Sequence, residues 1–126
     1  MAQPTKGEFY GWPYVYYGSH PDPRMYNKRP KNMKKVSIPE VALGAHTASL
    51  GLGFYNKKAF PEKYHGGAFI GQHGSWNRSE LVGYQVAFIP FKNGKPFGEP
   101  EVFMDGFIKD KEASTVIYLF GFAIFL

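Results

Sequence analysis

One stretch of this chain constrains its fold more than any other. An apolar run rich in β-branched and aromatic residues, VGYQVAFIPF (82–91), stops at KNGKP (92–96), which carries an Asn-Gly pair. Asn-Gly readily takes the two successive left-handed conformations of a tight hairpin turn, so a chain built around it commits to antiparallel β structure. The same alternation of short runs and breakers occurs upstream. TASLGLGFY (47–55) reads as strand, and NKKAFPEKYHG (56–66) as a polar connection around Pro61. GAFIGQH (67–73) reads as strand and GSWNRSEL (74–81) as a loop, with a fourth strand expected near residues 101–104. Four short strands joined in succession form an antiparallel meander.

The composition agrees. The chain has 15 glycines and 10 prolines in 126 residues, well above the usual combined share of roughly 12%, and its aromatic content is 18%. Aromatics among many turn formers favour short strands over long helices. The strands read as apolar on both faces: Tyr84, Val86 and Phe88 point one way, Ala87 and Ile89 the other. A sheet with one solvated face would alternate with polar residues, whereas a sheet sandwiched between neighbours need not. Gly51 and Gly53 are expected to leave room for close packing in an inner strand.

Several function classes are disfavoured. Cysteine is absent, so no disulfide and no thiolate metal site can form. The net charge is +5, densest at Arg24, Lys28, Arg29, Lys31, Lys34 and Lys35. Pro21, Pro23 and Pro30 interrupt that cluster, which reads as a solvated loop, and no nucleic-acid partner is expected. The segment 9–18 is aromatic and interrupted by Pro13, so it reads as an edge strand or an extended loop. VIYLFGFAIFL (116–126) is apolar, but 11 residues fall short of the roughly 20 that cross a membrane. No secretory signal is read at residues 1–8.

Two loops carry most of the chemistry. In a meander, the lead-in to the first strand (44–49, GAHTAS) and the turn between the second and third (74–79, GSWNRS) lie at one end of the sheet, so they should share a rim. Arg78 offers a planar fork for carboxylates or phosphates. Asn77 both donates and accepts, and Trp76 can stack on a flat ligand. His46 can move a proton, with Thr47 and Ser49 beside it. The opposing reading makes these groups structural: Asn77 and Arg78 bound to backbone carbonyls, Trp76 covering the core, His46 tied to a nearby carbonyl. Exposed aromatics suggest a second class of function, a sugar-binding β module in which Trp12, Tyr14, Tyr16, Tyr17 and Trp76 stack on sugar rings without catalysis.

Longer motifs suggest a family. GWPYVYYG (11–18), LGAHTASLGLGFY (43–55), GGAFIGQHGSWNR (66–78) and GYQVAFIPFKNGKPFG (83–98) resemble the sorbosone dehydrogenase group, relatives of the soluble quinoprotein glucose dehydrogenases. The resemblance runs from about residue 9 to 107. It implies one or two blades of a six-bladed β-propeller over residues 1–108, followed by a non-matching apolar tail at 109–126. It implies a periplasmic or secreted protein that oxidises a sugar or sugar aldehyde by hydride transfer to pyrroloquinoline quinone (PQQ), usually with a calcium ion on the quinone. On this resemblance Arg78, Asn77, Trp76, His46 and Thr47 become cofactor-binding residues. The group's catalytic histidine and calcium-binding segment lie upstream of its GWPY motif and match nothing here, so no catalytic residue and no metal ligand is assigned. The tail is expected to reflect an interrupted reading frame. The isolated piece is expected to be inactive and to self-associate through open strand edges.

Overall fold

The computed structural model describes residues 1–75 and 78–108. The chain forms two compact units, Met1–Ala42 and a second beginning at Leu43.

The first unit contains a short hairpin. β1 (Val15–Tyr16) pairs antiparallel with β2 (His20–Pro21), with Val15 opposite Pro21 and Tyr16 opposite His20. The aromatic segment 9–18 thus contributes a two-residue strand; the Trp12-Pro13 bond within it is cis. A single 3-10 turn, Tyr26–Lys28, follows. The basic loop is partly neutralised within itself. Arg24 pairs with Asp22 at 2.7 Å, and the Arg29 guanidinium lies 3.9 Å from the Tyr26 ring centre.

The second unit is built on the meander. β3 (Ser49–Phe54), β4 (Ala68–Gln72), β5 (Gln85–Ile89) and β8 (Glu101–Met104) lie side by side in chain order, each antiparallel to its neighbour. All four expected strands are present. The run 82–91 is divided, however: β5 ends at Ile89, and β6 (Phe91–Lys92) turns away to pair with β7 (Lys95–Pro96). Pro90 has no N–H to continue a ladder. The turn between β6 and β7 has Asn93 at φ 54° and Gly94 at φ 74°, the left-handed pair that Asn-Gly promised.

Register explains why both faces are apolar. Gly53, Phe69 and Phe88 form one cross-strand row, and Leu52, Ile70, Ala87 and Val102 form the next, on the opposite face. The first face holds the aromatic core: Tyr55, Phe69, Val86 and Phe88, with Phe60, Tyr64 and Phe103 packed against them. Phe69 meets Phe103 edge-to-face at 4.6 Å, and Tyr64 meets Phe88 at 4.9 Å. The polar connection 56–66 folds back over this face. It carries the 3-10 turn Glu62–Tyr64, and the Tyr55 hydroxyl accepts the Phe60 N–H at 2.9 Å. On the opposite face Ile70 and Ala87 are buried, while Leu52 and Val102 at its flanks are 58% and 57% exposed.

The expected inner position of Gly51 and Gly53 is corrected. Among the described residues β3 is an edge strand, and its glycines alternate with Leu50, Leu52 and Phe54, all three exposed. The sheet does not close on itself among the described residues.

Candidate functional site

The two loaded loops do meet. The Gly74 N–H donates to the Thr47 carbonyl at 2.9 Å, and the His73 N–H donates to the Ala48 carbonyl at 3.0 Å. These bonds carry the β3–β4 ladder past its last strand pair, Ser49 with Gln72, into the loops. The lead-in to β3 and the exit from β4 are therefore locked together at one end of the sheet.

The backbone there is strained. His46 (φ 62°), Ala48 (φ 47°) and Tyr84 (φ 55°) are all left-handed without being glycine. Such residues cost roughly 1–3 kcal/mol each and cluster where surrounding structure over-determines them, commonly at binding sites. Gly74 sits among them at φ 95°, and a Cβ placed on it would lie 2.2 Å from the Tyr84 ring. Tyr84 closes over this glycine and donates its hydroxyl hydrogen to the Ser75 carbonyl. Ser75 is buried. Its N–H donates to the Val82 carbonyl at 2.9 Å, and its Oγ accepts the Val82 N–H at 3.0 Å, which pins both ends of the loop between them.

Beneath the rim runs a polar relay. Gln85 Nε2 donates to Gln72 Oε1 at 2.8 Å, and the buried Gln72 passes its own Nε2 to the Leu43 carbonyl at 3.0 Å. Each link fixes the next, so the lead-in loop is held by side chains as well as backbone.

The candidate residues fall into three groups. His46 and Arg78 are exposed at or beside the rim and free to face solvent or a ligand. Thr47 is half-buried, and its hydroxyl lies 3.2 Å from the Leu43 carbonyl and 3.4 Å from Ser49 Oγ. It acts as an internal tie, and only its remaining lone pairs could serve a ligand. Trp76 and Asn77 lie outside the described residues, as does the tail 109–126. Sequence reasoning placed Ser75 in the loaded loop without a role, and assigned none to Ala48, Gly83 or Tyr84 in the rim. Gly83 was the available signal, since a glycine inside an apolar run often marks a break in the strand. Among the described residues, no three His, Asp or Glu side chains gather as a metal site would require, and no helix is long and apolar enough to cross a membrane.

The antiparallel meander, with its strained, hydrogen-bonded rim, makes this an all-β protein among the described residues. The chain belongs to the TrAA12-like family, whose profile matches residues 22–109. It is 40% identical over 104 residues to a protein of Borreliella burgdorferi described as uncharacterized, a match that covers 81% of this chain and 27% of that protein. The chain thus spans about a quarter of the length of that curated relative. No solved structure matches it at a significant level.

This family result corrects the resemblance drawn from the motifs. The chain is TrAA12-like, and its assignment to the sorbosone and soluble quinoprotein glucose dehydrogenases is withdrawn, together with the oxidoreductase and quinoprotein labels that rested on it. The physical reason lies in the motifs themselves. Many of their glycines stand at turns and strand ends, where left-handed backbone selects them, and several of their aromatics pack against one another in the sheet's core. Gly44, Gly74, Gly83 and Gly94 all have positive φ. Such demands come from β architecture and recur whatever the chemistry.

Proposed function

We propose that this chain is one blade, with part of a ligand-binding rim, of a longer propeller-type protein acting on a sugar or sugar aldehyde. On this reading the rim takes a flat, carboxylate-bearing ligand of the PQQ kind. The carrying observation is the clamp between Thr47–Ala48 and His73–Gly74, which spends backbone strain to hold His46 at the surface. Arg78 follows on the connection from the same loop, exposed, with the guanidinium fork that suits a carboxylate.

Two further observations support the blade. The second face of the sheet is apolar from Leu52 to Val102, as a sheet packed between neighbours requires. The Borreliella relative is several times longer than the matched segment, which leaves ample chain for such neighbours.

The donors fit the ligand in kind: a guanidinium for a carboxylate, an imidazole that donates or accepts, and a hydroxyl whose lone pairs remain open. The chain's own residues would bind and orient the ligand, and no proton-transfer step is assigned to them.

Titration of the 126-residue chain with PQQ, followed by tryptophan fluorescence, tests the reading. Saturable binding is expected, weakened about tenfold in Arg78→Ala, the usual cost of losing a charged hydrogen bond. No saturation, or equal binding by Arg78→Ala, would refute the rim as a carboxylate site.

A further inference from the structure

The first unit wears its aromatic rings on the outside. Trp12 is 69% exposed and Tyr16 53% exposed, and Tyr17 is exposed beside them. Tyr16 stacks on His20, its cross-strand partner, at 5.5 Å between ring centres and 26° between planes. All four rings lie within nine residues of chain, 12–20.

This display rests on a built scaffold. Tyr14 and Val15 both donate their N–H groups to the Gly11 carbonyl, at 2.9 and 3.0 Å, winding the segment into a tight turn. Val15 points inward and is buried, so Tyr16, its neighbour on the strand, points outward. Beyond the hairpin, the Asp22 N–H donates to the Tyr14 carbonyl at 2.9 Å. The buried Asp22 carboxylate in turn accepts the Arg24 backbone N–H at 2.9 Å and two guanidinium hydrogen bonds at 3.1 and 2.7 Å. The rings therefore stand on a hairpin fixed at both ends.

Flat ring faces held open to water on such a base complement one ligand chemistry well. The C–H face of a pyranose ring lies against an aromatic face, while the tyrosine hydroxyls, the His20 imidazole and the Ser19 hydroxyl can meet the sugar's own hydroxyls. An anionic partner would find no cluster of cations among these residues. A purely apolar partner would leave their polar tips unpaired.

We infer that segment 12–20 is a carbohydrate-stacking site in which Trp12 and Tyr16 each offer a ring face to a pyranose ring of an oligosaccharide. The site belongs to the first unit and does not depend on the rim reading.

The test is a fluorescence titration of the full chain with cellohexaose, maltohexaose and chitohexaose. Saturable binding of at least one is expected. Trp12→Ala should abolish it and Tyr16→Ala should weaken it about tenfold, the upper range for one aromatic stacking partner. Lys58→Ala, an exposed position outside both sites, should leave it unchanged, and the rim reading is tested by PQQ instead, so failure of the rim reading and failure of this one are separable. Trp12→Phe, which keeps a flat ring, should retain measurable binding. Circular dichroism of each variant confirms the fold, and these exposed positions should tolerate substitution. The inference is overturned if none of the three sugars binds, if Trp12→Ala binds undiminished, or if Trp12→Phe is as defective as Trp12→Ala.

Discussion

Asp22 shows what a single carboxylate does in the first unit. Hydrogen bonds from the Arg24 side chain, then from its backbone N–H, hold the Asp22 carboxyl at a pKa of about 2, below its ordinary 3.8. The folded form therefore favours the ionised group, and the unfolded chain takes up a proton at higher pH. The stabilisation is complete above the ordinary carboxylate range and is lost as pH falls through about 2. Asp22→Asn should lower the melting temperature near neutral pH, and its gap from the parent chain should narrow below about pH 4 and close near pH 2. Melts followed by circular dichroism at several pH values measure this; a gap constant with pH would show that Asp22 acts through shape alone. Nothing in PDPR (21–24) announced a buried acid. The pairing spans two residues and exists only because the loop turns there, which no periodicity reports. The rim's exposed His46 and Arg78 were legible, because unpaired polar residues in loops stand out against an apolar pattern. The ties of Thr47, Ser75 and Tyr84 were not, because each depends on which backbone atom happens to face it.

At the level of elements, the joint between β4 and β5 is tight and the joint between β6 and β7 is loose. Both contain a left-handed glycine, Gly74 at φ 95° and Gly94 at φ 74°, but a Cβ would strike the Tyr84 ring at the first and meet nothing within 4 Å at the second. Gly94→Ala should therefore cost only the backbone penalty, about 1 kcal/mol. Gly74→Ala should cost about 3 kcal/mol, the same penalty plus displacement of a buried ring. Urea denaturation of the two variants separates these values; similar losses would mean that Tyr84 does not close over Gly74. The four strands of the meander were readable because apolar runs between breakers set both their number and their order. The end of β5 was obscured by Phe91, which continues the apolar run in composition while Pro90 ends the ladder in geometry. The edge position of β3 was likewise hidden: alternating glycines look the same whether a neighbour lies beside them or not.

At the scale of the whole molecule, the sheet carries an apolar face whose flanks remain open. Leu50, Leu52 and Phe54 on β3 and Val102 and Met104 on β8 are exposed. Exposed rows of this kind, beside a strand edge that is unpaired among the described residues, promote association. The isolated chain should form oligomers at micromolar concentration, and Leu52→Lys should shift it toward monomer without lowering its melting temperature. Size-exclusion chromatography with light scattering decides this, and a parent chain that stays monomeric would show that the face needs no neighbour. The consecutive order of β3, β4, β5 and β8 has another consequence, for how the sheet comes into being. Each strand pairs with the meander strand made before it, with only the short β6–β7 hairpin intervening before β8, so no pairing among these four must wait for a distant part of the polypeptide. On a ribosome, the second unit can zip together strand by strand as it emerges, before any downstream sequence exists.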